Sequence, residues 1–261
     1  MNYELLMDTA MLAGEIMLSS GAETYRVEDT MRRILRTSNT ERQEVVVMMT
    51  GIIAVIIRDD MKDISGARRV NSRATNLNKI VRANEISRKY CDHKISLEEA
   101  HKELKRIEQN QYQQYSLLKN KVSMGCVVVG FTVMFGGTVY DVLAACVVGF
   151  ILALVSGLCE KIEFVDLLVD PVSSFSITAA AILLKIYMPV KIDMDILIIS
   201  AIMPLVPGVA ITNAVRDTFK GDYITGGGRM LEAFLKASLI AFGVGIGMAL
   251  IGPGLFGRTI I

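Results

Sequence analysis

The sequence predicts an α+β domain followed by an all-α membrane domain, and three observations carry that expectation. Charge is split along the chain: residues 1–121 hold 20 Lys and Arg with 17 Asp and Glu, whereas residues 122–261 hold only 8 and 10. The apolar pattern changes with it, from amphipathic periods and short β-branched runs to continuous apolar stretches of about 20 residues, the length that crosses a bilayer. One such stretch, Ile196 to Val215, carries Pro204, Pro207 and Gly208 in its middle. Each proline there removes a backbone donor and clashes with the preceding turn. The expected boundary falls between residues 115 and 116.

Composition excludes several function classes. The basic residues of the first part are interleaved with acidic ones and leave a net charge of only +3, which argues against a nucleic-acid surface. Of the four cysteines, Cys126, Cys146 and Cys159 lie in apolar runs without metal spacing. Cys91-Asp92-His93 offers too few ligands for a metal site. No metal and no cofactor is expected, and a reducing compartment suits these thiols.

In the first part, residues 3–18 place Leu5, Leu12 and Ile16 on one helical face. Ser20-Gly21-Ala22-Glu23 follows: Gly21 can end one helix, and Ser20 with Glu23 has capping-box spacing for the next, which runs to about Arg36. Val45 to Ile57, broken at Thr50-Gly51, is rich in β-branched residues and reads as a hairpin buried on both faces or nearly so. Asp59 to Asp63 is expected as a turn, Ala67 to Ser72 as a third strand, and Thr75 to Tyr90 as a helix. Ser96-Leu97-Glu98-Glu99 opens a polar helix on which His101 reads as solvated. The polar tract from Glu108 to Tyr115 leads to the membrane part.

Five transmembrane helices are expected there, at about 116–135, 139–158, 171–188, 196–215 and 233–251. The bias of Lys and Arg puts the first domain and the N-terminus in the cytosol and the C-terminus outside. The chain is thus expected as a multi-pass protein of the cell (inner or plasma) membrane.

Candidate functional groups follow from the break. A half-helix starting near Gly208 would aim its amides at an anionic group, as broken helices of transporters do; a kinked helix without ligand is the bland alternative. Asn213 lies within that half-helix, and Arg216 and Asp217 end it. Asp141 reads equally as a pathway carboxylate or a helix cap. Ser173 and Ser176, with Ser174 and Thr178, give the third helix a polar side, for substrate or for their own backbone. Gly243 and Gly247 have the spacing of a close-packed face, internal or between subunits.

Three stretches then carry a resemblance: Ser20-Gly21-Ala22-Glu23-Thr24-Tyr25-Arg26-Val27-Glu28; Arg68 to Lys79 with Asn76-Leu77 and Asn84; and Pro204 to Gly208 with Asn213, Arg216 and Asp217. Together they resemble the threonine/serine exporter (ThrE-like) family, in its form split into a larger and a smaller subunit. The resemblance implies a transporter subunit, not an enzyme, that exports threonine and serine or small dicarboxylates such as succinate. It also implies a smaller membrane subunit as partner, or a homo-oligomer. Pro204, Pro207, Gly208, Asn213, Arg216, Asp217, Asp141, Ser173 and Ser176 become candidates for the pathway, and Ser20, Gly21, Glu23, Arg26 and Glu28 form a cytosolic motif. Two other classes compete: a membrane-anchored hydrolase with its site in residues 20–90, and a sensor or scaffold whose membrane part oligomerises.

Overall fold

The computed structural model describes residues 2–40, 42–57, 62–70, 74–109, 117–162 and 166–252. The turn expected at 59–61, the end of the expected third strand at 71–72, the tract 110–115 and the C-terminal residues from 253 lie outside them. The chain divides into two compact units: Met1–Gln114 with Gly208–Leu231, and Tyr115–Pro207 with Glu232–Ile261.

The first unit is built on α1 (Tyr3–Ser19). Leu6, Leu12, Met17 and Leu18 are fully buried, and the helix packs against α2 (Thr24–Arg36), α3 (Leu77–Cys91), α4 (Leu97–Glu108) and the sheet. Gly14 sets the α1–α2 approach, since a Cβ there would lie 2.4 Å from Met31 Sδ. Asn76 caps α3 and Ser96 caps α4, the latter as its spacing predicts. The sheet is antiparallel in the order β1 (Arg42–Met48), β2 (Gly51–Ile57), β3 (Ile64–Arg69), with Met48 opposite Gly51 across a two-residue turn. The third strand therefore starts earlier than the sequence suggests.

Three expectations are corrected here. The hairpin is buried on one face only: Val45, Val47, Ile52, Ala54 and Ile56 are buried, while Val46, Met48 and Ile53 are exposed. Helices cover just one side of the sheet, so an unbroken β-branched run misleads about burial. His101 is not solvated. Its side chain is 12% exposed, with Nδ1 3.2 Å from Thr9 Oγ1 and Nε2 3.6 Å from Asp8. Thr9 Oγ1 already donates to Leu5 O, which assigns the ring proton to Nδ1. Third, Ser20 does not cap α2. It is the C-cap of α1, and the N-cap position of α2 is Glu23, which makes no capping bond of its own.

The second unit is helical: α5 (Leu117–Met134), α6 (Val139–Lys161), α7 (Asp166–Tyr187), α8 (Met194–Ile202) and, past α9 (Gly208–Phe219), the greater part of α10 (Tyr223–Ile251). Small residues bring its helices together; a Cβ on Gly149 of α6 would lie 3.0 Å from Gly125 Cα of α5. The close face of α10 is internal: Cβ atoms on Gly243 and Gly247 would strike Ser174, Pro171 O and Thr178 of α7. Among the described residues three helices are long and apolar enough to cross a membrane, Val139–Cys159, Leu168–Tyr187 and Tyr223–Ile251, and not five. The apolar part of α5 is only Lys121–Met134. The expected span 196–215 is not one helix. It stops at Ile202, turns through 203–207 and restarts at Gly208 as α9, which belongs to the first unit. Two prolines three residues apart end α8 after nine residues, about 13 Å at 1.5 Å per residue.

Candidate functional site

In the first unit, the junction of α1 and α2 meets α9 and the start of α10 through a buried charge network. Residue 21 must take a left-handed backbone for α1 to end and α2 to begin at once, and Gly21 has φ +84°. Asn213 Nδ2 donates to Gly21 O at 2.9 Å. One turn along α9, Arg216 reaches Glu23 Oε1 at 2.5 Å, while Arg26 holds Oε2 of the same carboxylate at 2.7 Å. Glu23 is buried and both arginines are half exposed, so the pair of cations neutralises a desolvated acid from the solvent side.

Asp217 is the centre of the network and is fully buried. Its Oδ1 accepts from the backbone N–H of Thr24 at 3.3 Å and from Thr24 Oγ1 at 2.9 Å. The Thr24 N–H is one of the unpaired donors in the first turn of α2, so a carboxylate 193 positions away does a cap's work there and meets the positive end of the helix dipole. Oδ2 lies 3.0 Å from Arg229 Nη1, an ion contact without hydrogen-bond geometry. The 7% exposed Arg229 also donates from Nη2 to Ala22 O at 2.8 Å. Burial pushes the Asp217 carboxyl above its ordinary range, and the Arg229 charge and the Thr24 bonds work against that shift.

The hairpin that presents these groups is built for closeness. Gly221 turns the chain at φ +90°, and Asp222 starts α10 by accepting from Thr225 N at 3.1 Å. Thr24 Oγ1 also lies 3.4 Å from Asp222 Oδ2. A Cβ on Gly226 would lie 2.2 Å from Thr218 Oγ1 and 2.9 Å from Ala214 O, so only glycine lets α10 cross α9 there. Glu28 serves another end of α2: it accepts from Val47 N at 3.1 Å, and Arg32 donates to Val45 O, so two side chains occupy the open edge of β1.

Asn213, Arg216 and Asp217 thus lie with Gly21, Glu23 and Arg26 in one constellation. Ser20 flanks it, with its N–H on Ile16 O. The other sequence candidates lie elsewhere. In the second unit, Asp141 accepts from Thr138 N and Oγ1 at 2.8 and 2.7 Å, and its second oxygen accepts from Asp193 N at 2.8 Å. It caps α6 and ties the start of α8 to it. Ser174, Ser176 and Thr178 bond backbone carbonyls of their own helix, whereas Ser173 Oγ is buried without a partner among the described residues. Pro204 and Pro207 lie in the turn after α8, and Gly208 is the first residue of α9.

Sequence reasoning missed Thr24, Asp222 and Arg229. Arg229 had a visible signal: it is a lone cation beside Gly226-Gly227-Gly228 at the start of an apolar helix. Among the described residues no group of His, Cys, Asp and Glu could hold a metal ion.

No curated protein and no solved structure matches the chain significantly. Residues 8–251, which take in both units and every member of the network, match the threonine/serine exporter family. The chain belongs to the threonine/serine exporter family.

Proposed function

We propose that the chain is a subunit of a membrane exporter for small hydroxy amino acids, threonine and serine, working with a smaller membrane subunit of the same family. The observation that carries this reading is the family match over residues 8–251, with three helices among the described residues long and apolar enough to span a bilayer. The cell membrane is its site, with the first unit in the cytosol. Lys119 and Lys121, at the start of α5, support that placement.

A hydrolase gains nothing from the structure. Among the described residues the hydroxyl beside a histidine, Thr9, is fully buried and already donates to Leu5 O. The test is efflux from cells lacking this chain and complemented with it, so that any native partner is present. Threonine and serine should leave faster from complemented cells and succinate should not. Equal threonine efflux with and without the chain defeats the reading, and faster succinate efflux alone moves the substrate to dicarboxylates.

A further inference from the structure

A groove in the second unit has no part in the site above. It runs between α7 and α10, encloses about 410 Å³, and every side chain lining it is apolar, among them Val172, Phe175, Leu239, Phe242, Ile246 and Leu250. Its origin is local. Gly243 lets α10 touch α7 at Pro171 O and Ser174, while the bulky Phe175 and Phe242 stand beside that contact and leave a cleft. Both walls belong to helices long and apolar enough to span a membrane. Leu239 to Leu250 is eleven steps along the helix, about 16 Å at 1.5 Å each. That is close to the roughly 15 Å hydrocarbon depth of a single leaflet.

One end of the groove is charged. Lys236 Nζ lies 3.3 Å from Asp170 Oδ2, the lysine three residues before Leu239 on α10 and the aspartate between the lining residues Leu168 and Pro171 on α7, with the lysine 43% and the aspartate 14% exposed. A cation and an anion side by side at leaflet depth carry no net charge. They attract a headgroup that itself bears both signs, and they offer a purely anionic headgroup as much repulsion as attraction.

We propose that the α7–α10 groove binds one acyl chain of a zwitterionic phospholipid, with the headgroup phosphate on Lys236 and its ammonium on Asp170. The inference rests on the reading that the second unit lies in a bilayer. A bound lipid there fills a cleft that would otherwise forfeit dispersion contacts along both helices. It also gives α10, the least buried of the three spans at 17%, a fixed neighbour.

The chain has no tryptophan, so a single introduced one reports its own surroundings. Leu250→Trp puts the probe at an exposed position on the far end of the groove; Phe150→Trp puts one on the exposed face of α6, away from it. Each full-length variant in detergent is titrated with phosphatidylethanolamine brominated in its acyl chain. Leu250→Trp should be quenched saturably near one lipid per chain, and Phe150→Trp only at several-fold higher lipid. Adding Lys236→Ala to Leu250→Trp should raise the half-quenching concentration about tenfold. Phosphatidylglycerol of the same chains should bind several-fold more weakly than phosphatidylethanolamine. Parallel quenching of the two probes overturns the proposal, as do equal affinities for the two lipids and a groove closed by a second copy of the chain with no lipid retained. In vesicles made wholly of brominated lipid both probes should be quenched. If neither is, the bilayer placement itself fails, which separates that failure from the failure of the lipid site.

Discussion

Replacing Asp217 should loosen the first unit more than any other single change to the network. The carboxylate has two duties at full burial: it caps α2 at Thr24 and balances Arg229. Loss of an N-cap costs about 1 kcal/mol. Leaving a buried guanidinium without its counter-charge costs about 3–5 kcal/mol. Because Arg229 keeps its bond to Ala22 O, and because neighbouring effects do not add fully, Asp217→Ala is expected to cost about 4 kcal/mol. Asp217→Asn keeps a carbonyl for Thr24 and loses only the charge, so about 3 kcal/mol is expected. Asp217→Asn combined with Arg229→Met removes both charges and should return to within about 1 kcal/mol of the parent chain. Hydrogen exchange in the first turn of α2, measured on the full chain in detergent, reads this local opening directly. At 1.4 kcal/mol per tenfold, Asp217→Ala should speed exchange there by about 10³. A change below about fivefold, or a double variant that opens more readily than Asp217→Asn alone, would refute the reasoning.

Two further outcomes are expected of the first unit and its hairpin. Burial holds the His101 imidazole below its ordinary pKa of about 6.5 against the pull of Asp8, so its neutral form contributes stability above that value that is lost as pH falls through the lower folded one. The melting temperature of the solubilised chain should drop between pH 7 and pH 5, and His101→Gln should flatten that drop; an unchanged slope in the variant would show that another group titrates. Gly226→Ala must push α9 from α10 and should cost about 1–3 kcal/mol, whereas Gly227→Ala, whose Cβ meets open space, should be neutral or slightly stabilising; thermal melts that rank them the other way would contradict the close crossing.

Much of the secondary structure is legible locally, because helix periods, the cap at Ser96 and the β-branched hairpin are written within a few residues of where they act. What sequence reading lost is what distant residues supply. Ser20 and Glu23 have the right spacing for a capping box, yet the oxygen that caps α2 comes from Asp217, and no rule limited to a neighbouring turn can find it. The sheet shows the same limit: whether Val46 and Ile53 are buried depends on a second layer of helices that this unit does not have. The two prolines announced a break correctly, but apolar length alone assigned the segment after it to lipid. The contrary signal was present in Asn213, Arg216 and Asp217, which recur at helical spacing on one face of α9 and mark a face meant for protein.

The length of α10 resolves where Arg229 can sit. The helix has 29 residues, about 43 Å of rise, against about 30 Å of hydrocarbon. Some nine residues are surplus, and the division of the chain gives the stretch up to Leu231 to the first unit. Arg229, the seventh residue of α10, falls in that stretch. Its guanidinium charge is enclosed by protein that supplies a carboxylate and a carbonyl, Asp217 and Ala22 O.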